Sequence, residues 1–216
     1  MFARRCMIMS AGAAPITIGT PFFTKSASGL STYTFPSQAF GAAAADRKIA
    51  LFIMGNPGGA IPRYSSSTIG GASATQLLQE FSGGEIELVI ASVPTGTTGD
   101  VVVNFSATNN NCAIIGYPMY GASSTLLDSA TSTSNPGSAT LTTTSGGLVL
   151  AGVVSNSNYT TTWTGVTEDA DDSISGALVY SSGSKLITTG GTLTPEYTLS
   201  GGAARSGVFA SFQPGA

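Results

Sequence analysis

Residues 85–106 read EIELVIASVPTGTTGDVVVNFS, two runs of strand-forming residues separated by a connection rich in Gly, Thr and Pro. The first run, 85–93, begins with an alternation that places Glu85 and Glu87 on one face and apolar residues on the other. A period of two residues is the signature of a β-strand. Because the glycines permit a tight connection, this stretch predicts a hairpin in which 85–93 pairs with 101–106.

The same pattern continues along the chain. Runs rich in Val, Ile, Thr, Tyr and Phe are separated by clusters of Gly, Asn, Pro and Ser, which is typical of strands and turns. The segment 74–81 fits a short helix and a strand equally well, whereas the apolar runs 113–115 and 149–154 predict strands buried on both faces. Strands are predicted at 33–35, 48–54, 85–93, 101–106, 112–120, 139–143, 147–155, 160–164, 173–180, 192–199 and 207–212.

About ten or eleven short strands without alternating helices predict an all-β fold, an antiparallel β-sandwich of jelly-roll-like type. No shift in composition marks an internal boundary and no repeat of fixed period occurs, so 29–216 is predicted to be a single sandwich domain. Residues 1–28 are predicted to be an N-terminal arm. The large apolar residues of that arm need either a partner surface or the sandwich itself to cover them: Ile16, Ile18, Phe22 and Phe23.

The composition removes most of the side chains that do chemistry at neutral pH. Charged residues make up 9% of the chain and histidine is absent, which excludes Ser–His–Asp triads, Cys–His dyads and imidazole metal sites. No Gly-rich phosphate-binding motif occurs. We therefore expect a protein that is not an enzyme and has no cofactor.

Charge also limits the partners. A pI near 4.7 with only eight basic residues argues against nucleic acid, and no segment approaches the ~20 apolar residues of a membrane-spanning helix. A surface made of Ser, Thr, Asn, Gln, Gly and Ala repels its neighbours weakly. This favours a chain that is packed against other proteins. The alternative is a secreted β domain whose surface is hydrated through its hydroxyl groups. Cys6 and Cys112 are predicted to be free thiols, as expected for assembly in a reducing cytoplasm.

The one acidic run contains Glu168, Asp169, Asp171 and Asp172. Several carboxylates close together could hold Ca²⁺, but the run lacks the spaced ligands of a calcium loop. A solvated loop or an acidic contact patch is the favoured interpretation, so no metal site is predicted. Glu85 and Glu87 share a strand face and could in principle act as a glycosidase pair, but an exposed sheet face is favoured.

Trp163, the single tryptophan, follows Tyr159 closely. Aromatic platforms stack on sugars in many β-sandwich modules, so these two residues are candidate glycan contacts. The alternative, which is favoured for Trp163, is that it anchors the core.

Four motifs together resemble a known family. They are YTFPSQAFG at 33–41, AADRKIAL at 44–51, VPTGTTGDVVV at 93–103 with its predicted partner AIIG at 113–116, and WTGVTED at 163–169. In this order they resemble a β-rich protein encoded among the virion genes of tailed bacteriophages and prophages, over most of 31–212.

The resemblance implies a structural protein located in the virion and assembled in the host cytoplasm. A capsid decoration (cement) protein is the favoured role, with a homo-oligomer that contacts the major capsid protein or tail proteins. The alternative is a tail-tip, fibre or host-receptor component that binds a surface glycan. No catalytic residue is implied. Within the second motif, Asp46 is expected to cap backbone amides and Arg47 to pair with an acid on the next strand.

Overall fold

The computed structural model describes residues 13–56, 63–174, 178–202 and 205–215, and within these ranges the chain forms twenty antiparallel β-strands and no helix. No helix in them is therefore long and apolar enough to cross a membrane. In chain order the strands are β1 (Thr17–Ile18), β2 (Phe22–Ser26), β3 (Leu30–Ala39), β4 (Lys48–Asn56), β5 (Tyr64–Ile69), β6 (Ala72–Ser73), β7 (Thr75–Phe81), β8 (Glu85–Ser92), β9 (Thr98–Asn109), β10 (Asn111–Tyr120), β11 (Ala122–Ser132), β12 (Gly137–Ser138), β13 (Leu141–Thr143), β14 (Leu148–Ser155), β15 (Thr161–Thr164), β16 (Thr167–Ile174), β17 (Leu178–Leu186), β18 (Gly191–Leu193), β19 (Glu196–Leu199) and β20 (Arg205–Pro214).

The predicted all-β sandwich fold is confirmed, and the ambiguous segment 74–81 is a strand, β7. Two predicted strands were wrong: 173–180 spans the end of β16 and the start of β17, which pair with each other, and 192–199 spans β18 and β19, which pair with different strands. Two long strands, β5 and β11, were not predicted. Their serine-rich sequences resemble loops, and they become strands because β9 and β20 supply backbone partners.

The first half of the chain, β1 to β10, forms two facing sheets. One has the order β1-β10-β4-β8-β7, with β2 also paired to β10, and the other has the order β3-β9-β5-β6. The first strands therefore lie beside the last strand of this half, and the chain passes from one sheet to the other between β6 and β7. This wrapping is a jelly roll.

The second half repeats this topology, except that its described strands include no counterpart of β6. Its larger sheet has the order β11-β20-β14-β17-β16, which matches (β1, β2)-β10-β4-β8-β7. Its smaller side consists of β12-β19-β15 and β13-β18, in which two broken strands, β12 with β13 and β18 with β19, take the places of β3 and β9. The protein is thus a tandem pair of jelly rolls, although its sequence shows no repeat of fixed period.

The structure divides the chain at a different place from the boundary at residue 28 that was expected from the sequence. Within 1–28, strands β1 and β2 belong to the first jelly roll, because both pair with β10. Ile16 and Phe22 are buried, whereas the side chain of Phe23 is 55% exposed. The range 29–216 contains the remainder of the first jelly roll and the whole second one.

The four sheets stack as four layers with three cores between them. The first core lies inside the first jelly roll and the third core inside the second. The central core is the largest, and it lies between the six-stranded sheet of the first half and the five-stranded sheet of the second, with residues from both halves. These sheets are consequently buried on both faces, and the prediction of doubly buried strands at 113–115 and 149–154 is confirmed.

The two halves meet through an approximate two-fold relation. β4 contacts β17 and β14 contacts β8; β10 contacts β16 and β20 contacts β7; β2 contacts β16 and β11 contacts β7. Each of these contacts has its counterpart when the halves are exchanged, as in the isologous interface of a symmetric dimer, whereas the contact between β20 and β8 has no counterpart of similar size. The structure therefore resembles a dimer whose two subunits are joined in one chain.

Close packing and polar contacts both cross this interface. A Cβ added at Gly152 would lie 3.1 Å from carbon atoms of both Phe52 and Ile86 in the other half, so a larger residue there would displace both side chains by a few tenths of an ångström. The Nζ of Lys25 forms a salt bridge of 2.6 Å with Asp172 across the same interface.

Arg47 governs the connection that was predicted to be a hairpin. That prediction was wrong, because β8 and β9 lie in different facing sheets and the chain at 93–97 crosses between them. Arg47 is fully buried, and carbonyl oxygens rather than the expected acid surround its guanidinium in the described part of the chain. It donates to the backbone carbonyls of Phe40, Gly41, Ala42, Val93, Thr95 and Gly96 at 2.7–3.2 Å.

The neighbouring Asp46 behaves as expected from the sequence. Its Oδ2 accepts a hydrogen bond of 2.7 Å from the backbone N–H of Gly121. Gly121 is the residue between β10 and β11, so this bond holds the junction of the two jelly rolls.

The shared core makes a prediction about cooperativity. Phe52→Ala removes a fully buried ring on the first-half side of the interface and should cost about 3–5 kcal/mol of unfolding free energy. Trp163, the single tryptophan, lies in the second half, so its fluorescence during urea denaturation reports on the other jelly roll. We expect its transition to move to lower urea with Phe52→Ala and to stay in place with the exposed control Ser66→Ala. A tryptophan transition unaffected by Phe52→Ala would show that the halves unfold independently.

Candidate functional site

The acidic run predicted to be a solvated loop or contact patch is part of strand β16. Its side chains separate toward different partners: Asp172 binds Lys25, Asp169 Oδ2 accepts from the hydroxyl of Tyr117 at 2.9 Å, and Asp171 accepts from the backbone N–H of Thr161. The described residues contain no group of three or more His, Cys, Asp or Glu side chains placed to hold a metal. Asp172 and Asp169 link the two jelly rolls, because their partners Lys25 and Tyr117 belong to the first half.

Their titration reflects these surroundings. The hydrogen bond and charge of Lys25 lower the pKa of Asp172, whereas burial is the main cause of the raised pKa values of Asp169 and Asp171. Burial and the neighbouring acids Asp171 and Asp169 also raise the pKa of Glu168.

Trp163 packs against the third core. Its ring meets the ring of Tyr197 edge-on at a centroid distance of 5.8 Å, and its indole N–H donates to Ser181 Oγ at 2.7 Å. The indole is only partly exposed, and its single donor is already used. This geometry makes Trp163 an anchor of the sandwich.

Tyr159 lines a shallow groove of about 250 Å³ at the edge of the second jelly roll. The structure brings Tyr159 together there with two members of the acidic run, Asp171 and Asp172, while Trp163, Glu168 and Asp169 lie outside the lining. The ring of Tyr159 packs over Gly201 and against the third core, and the groove beside it offers two carboxylates and the amide of Asn158 for hydrogen bonding to a sugar. The remaining lining residues are Asn158, Thr160, Ser173 and Val179.

Glu85 and Glu87 are fully buried, so the prediction of an exposed sheet face was wrong. Alternation placed them correctly on one face of β8, but the sheet β3-β9-β5-β6 covers that face. Glu85 Oε1 accepts from the backbone N–H of Tyr64 at 2.5 Å, and Glu87 Oε2 accepts from Gln76 Nε2. Burial is the main cause that raises the pKa of Glu85 to about 7 and that of Glu87 to about 8.

Cys112 lies in the same core. It is a free, buried thiol, and burial raises its pKa. Cys6 lies outside the described residues. The structure thus agrees with a free thiol at Cys112, in a position where it packs as a small apolar side chain.

The nearly uncharged outer faces of the stack were not predicted from the sequence. Among the described strands of β3, β9, β5 and β6, Asp100 is the one charged residue, and among those of β12, β13, β15, β18 and β19 it is Glu196. On the first outer face Thr32 Oγ1 donates to Asn104 Oδ1 at 2.9 Å, and Asn104 Nδ2 donates to Ser66 Oγ at 3.1 Å. Uncharged side chains are therefore held in a row across three strands. Only the strand topology shows that these residues share a face.

Comparisons with known proteins assign no family. No family model matches the chain, and no curated protein matches it. Among solved structures, the crystal structure of PBSX exported protein XepA is similar over 89% of this chain and 86% of that chain, with 11% sequence identity and a TM-score of 0.27. A likeness of that degree carries no functional assignment.

The buried glutamates predict a dependence of stability on pH. Their folded-state pKa values lie above the value of 4.5 at which they titrate when exposed, so the folded state binds more protons between these values. The stabilisation is complete below pH 4.5 and is lost as the pH rises through 7 to 8. In buffer free of divalent cations, the unfolding free energy should be higher at pH 5.5 than at pH 8.5 by on the order of 5 kcal/mol for the two groups together.

Urea denaturation at a series of pH values checks this dependence. The double variant Glu85→Gln/Glu87→Gln, which mimics the protonated pair, should remove most of it, whereas Glu80→Gln on the adjacent strand should retain it. A wild-type profile that is flat between pH 5.5 and 8.5 would contradict the assignment.

Proposed function

We propose that the protein is a non-enzymatic structural component of a bacteriophage virion, and within it a capsid decoration protein that binds the shell through flat, weakly charged surfaces. One observation carries the proposal: each outer sheet of the four-layer stack has a single charged residue in its described strands. The family resemblance of the four sequence motifs supports the same role.

The stack places these two outer faces at opposite ends. Each copy can therefore contact the shell with one face and a further protein with the other. With so few charges, long-range repulsion between adjacent copies is weak, which suits dense packing.

The outer side chains are also ordered before any partner binds. The row formed by Thr32, Asn104 and Ser66 is held by hydrogen bonds on adjacent strands, with the next row formed by Thr34, Val102 and Thr68. Side chains that are already fixed lose little conformational entropy on binding, so a modest contact area gives a useful affinity.

The decisive experiment locates the chain in purified particles. We expect mass spectrometry and immuno-electron microscopy to find it on the particle, and we expect Thr34→Lys/Ser66→Lys, which adds two charges to the first outer face, to lower its incorporation at least tenfold. Because both residues are exposed, the melting temperature should change by less than about 2 °C. Ser124→Lys on the edge strand β11 is the matched control and should be incorporated normally.

Two outcomes would contradict the proposal at different points. Absence of the wild-type chain from particles would rule out a virion role. Normal incorporation of the double lysine variant would show that the first outer face is not the docking surface.

A second candidate role is host-glycan binding by a tail-tip or fibre component, and the groove at Tyr159 favours it. Tyr159→Ala should then reduce binding to host surface polysaccharide at least tenfold, measured on a glycan array and by adsorption to cells. Tyr120→Ala removes a partly exposed tyrosine of the first jelly roll and serves as control. Equal binding by wild type and Tyr159→Ala would count against this role, and Trp163 is unsuitable for the test because it anchors the core.

A further inference from the structure

The end of the first core holds a group of polar side chains that its apolar packing does not explain. In the larger sheet, Gly55 of β4 lies directly between Glu85 of β8 and Cys112 of β10. Residues that are opposite each other in adjacent strands point to the same face, about 5 Å apart. The vacant side-chain position of Gly55 is filled by the amide of Asn109, which descends from the end of β9 in the facing sheet.

The amide of Asn109 thus enters the core from the opposite layer, over the strand that pairs with Glu85. A Cβ at Gly55 would come closest to Asn109 Nδ2 and would lie 3.5 Å from Oδ1, so the whole amide occupies the space above Gly55. The carboxyl groups of Glu85 and Glu87 also interact with each other. All three side chains have no solvent exposure.

Their free atoms are unusual for a core. Among the described residues, five buried side-chain atoms have no hydrogen-bond partner, and four of them belong to this group: Glu85 Oε2, Glu87 Oε1, Asn109 Oδ1 and Asn109 Nδ2. Each glutamate has one oxygen engaged, with Tyr64 or Gln76, and its second oxygen has no donor except a proton shared between the two carboxyl groups. A buried polar atom without a partner costs about 1–3 kcal/mol, and a charged one costs more.

The nearby positively charged side chain, Arg63, forms no hydrogen bond to these unpartnered atoms. Arg63 interacts electrostatically with Glu85, but its guanidinium lies on the ring of Phe81, 3.5 Å from the centroid, and the residue is exposed. Three unpartnered oxygens in the group, on Glu85, Glu87 and Asn109, remain available to a ligand.

We propose that Glu85, Glu87 and Asn109 bind a calcium ion inside the first jelly roll, between its two sheets. Two carboxylates match the charge of a divalent cation, and an amide oxygen completes a set of hard oxygen ligands. Ca²⁺ accepts irregular geometry and combines such ligands with water. Mg²⁺ demands near-ideal octahedral geometry and gives up its bound water reluctantly. The third ligand is an amide, so the site contains only two of the ionisable side chains that usually bind metals.

Wild-type protein gives the primary test, which does not depend on the virion role. Protein stripped with EGTA is titrated with CaCl₂ by isothermal calorimetry at pH 7.5, and its melting temperature is followed. We expect one Ca²⁺ per chain and a rise in melting temperature of about 5–10 °C when the free Ca²⁺ is 100 times the dissociation constant. The same concentration of MgCl₂ should give less than half of this shift.

Variants then locate the ion. Glu87→Gln and Asn109→Leu should each weaken Ca²⁺ binding at least tenfold, whereas Asp171→Asn in the acidic run should leave it unchanged. Terbium emission sensitised by tyrosine in wild-type protein, with Tyr64 beside the site, gives a readout that needs no variant. The absence of stoichiometric Ca²⁺ binding by wild-type protein would overturn the proposal, as would binding lost in Asp171→Asn but kept in Glu87→Gln.

Discussion

Burial of both faces of the two large sheets is the constraint on which the structure depends. An antiparallel sheet usually leaves one face in water, and its strands then alternate between apolar and polar residues. Here the central core covers one face of each large sheet and a smaller sheet covers the other. Neither large sheet could keep its apolar residues from water without the opposite half, so the two jelly rolls stabilise each other.

Polar groups within this apolar stack are each tied to a connection or a layer. Arg47 binds the carbonyls of the two segments that leave and enter the first jelly roll's large sheet, and so fixes the crossing from β8 to β9. Tyr117 reaches across the central core to Asp169 and Ser182. Glu85, Glu87, Asn109 and Thr161 are the exceptions among the described residues, because buried polar atoms of their side chains have no hydrogen-bond partner.

The sequence predicted the strands of the large sheets well, since β4, β8, β10 and β14 are dense in branched apolar residues. It did not predict β11 or β5, whose Ser and Thr become strand only through pairing with β20 and β9. For Glu85 and Glu87, alternation gave the shared face correctly but carries no information about what covers that face. Tyr159 and the acidic run could be named individually, whereas their common groove follows from the fold alone. The two halves share their strand order but not their sequence, so the sequence contains no periodic signal of the repeated topology.

The joining of two similar jelly rolls in one chain affects how the unit responds to dilution and whether its two ends are alike. A homodimer with this interface would separate on dilution, and its two ends would be identical. The covalent pair keeps its interface at any concentration, so a single copy arrives at its partner already complete. Because the halves have diverged, its ends also differ, with Asp100 at one and Glu196 at the other. Such a unit has a direction, and each end is free to specialise for a different neighbour.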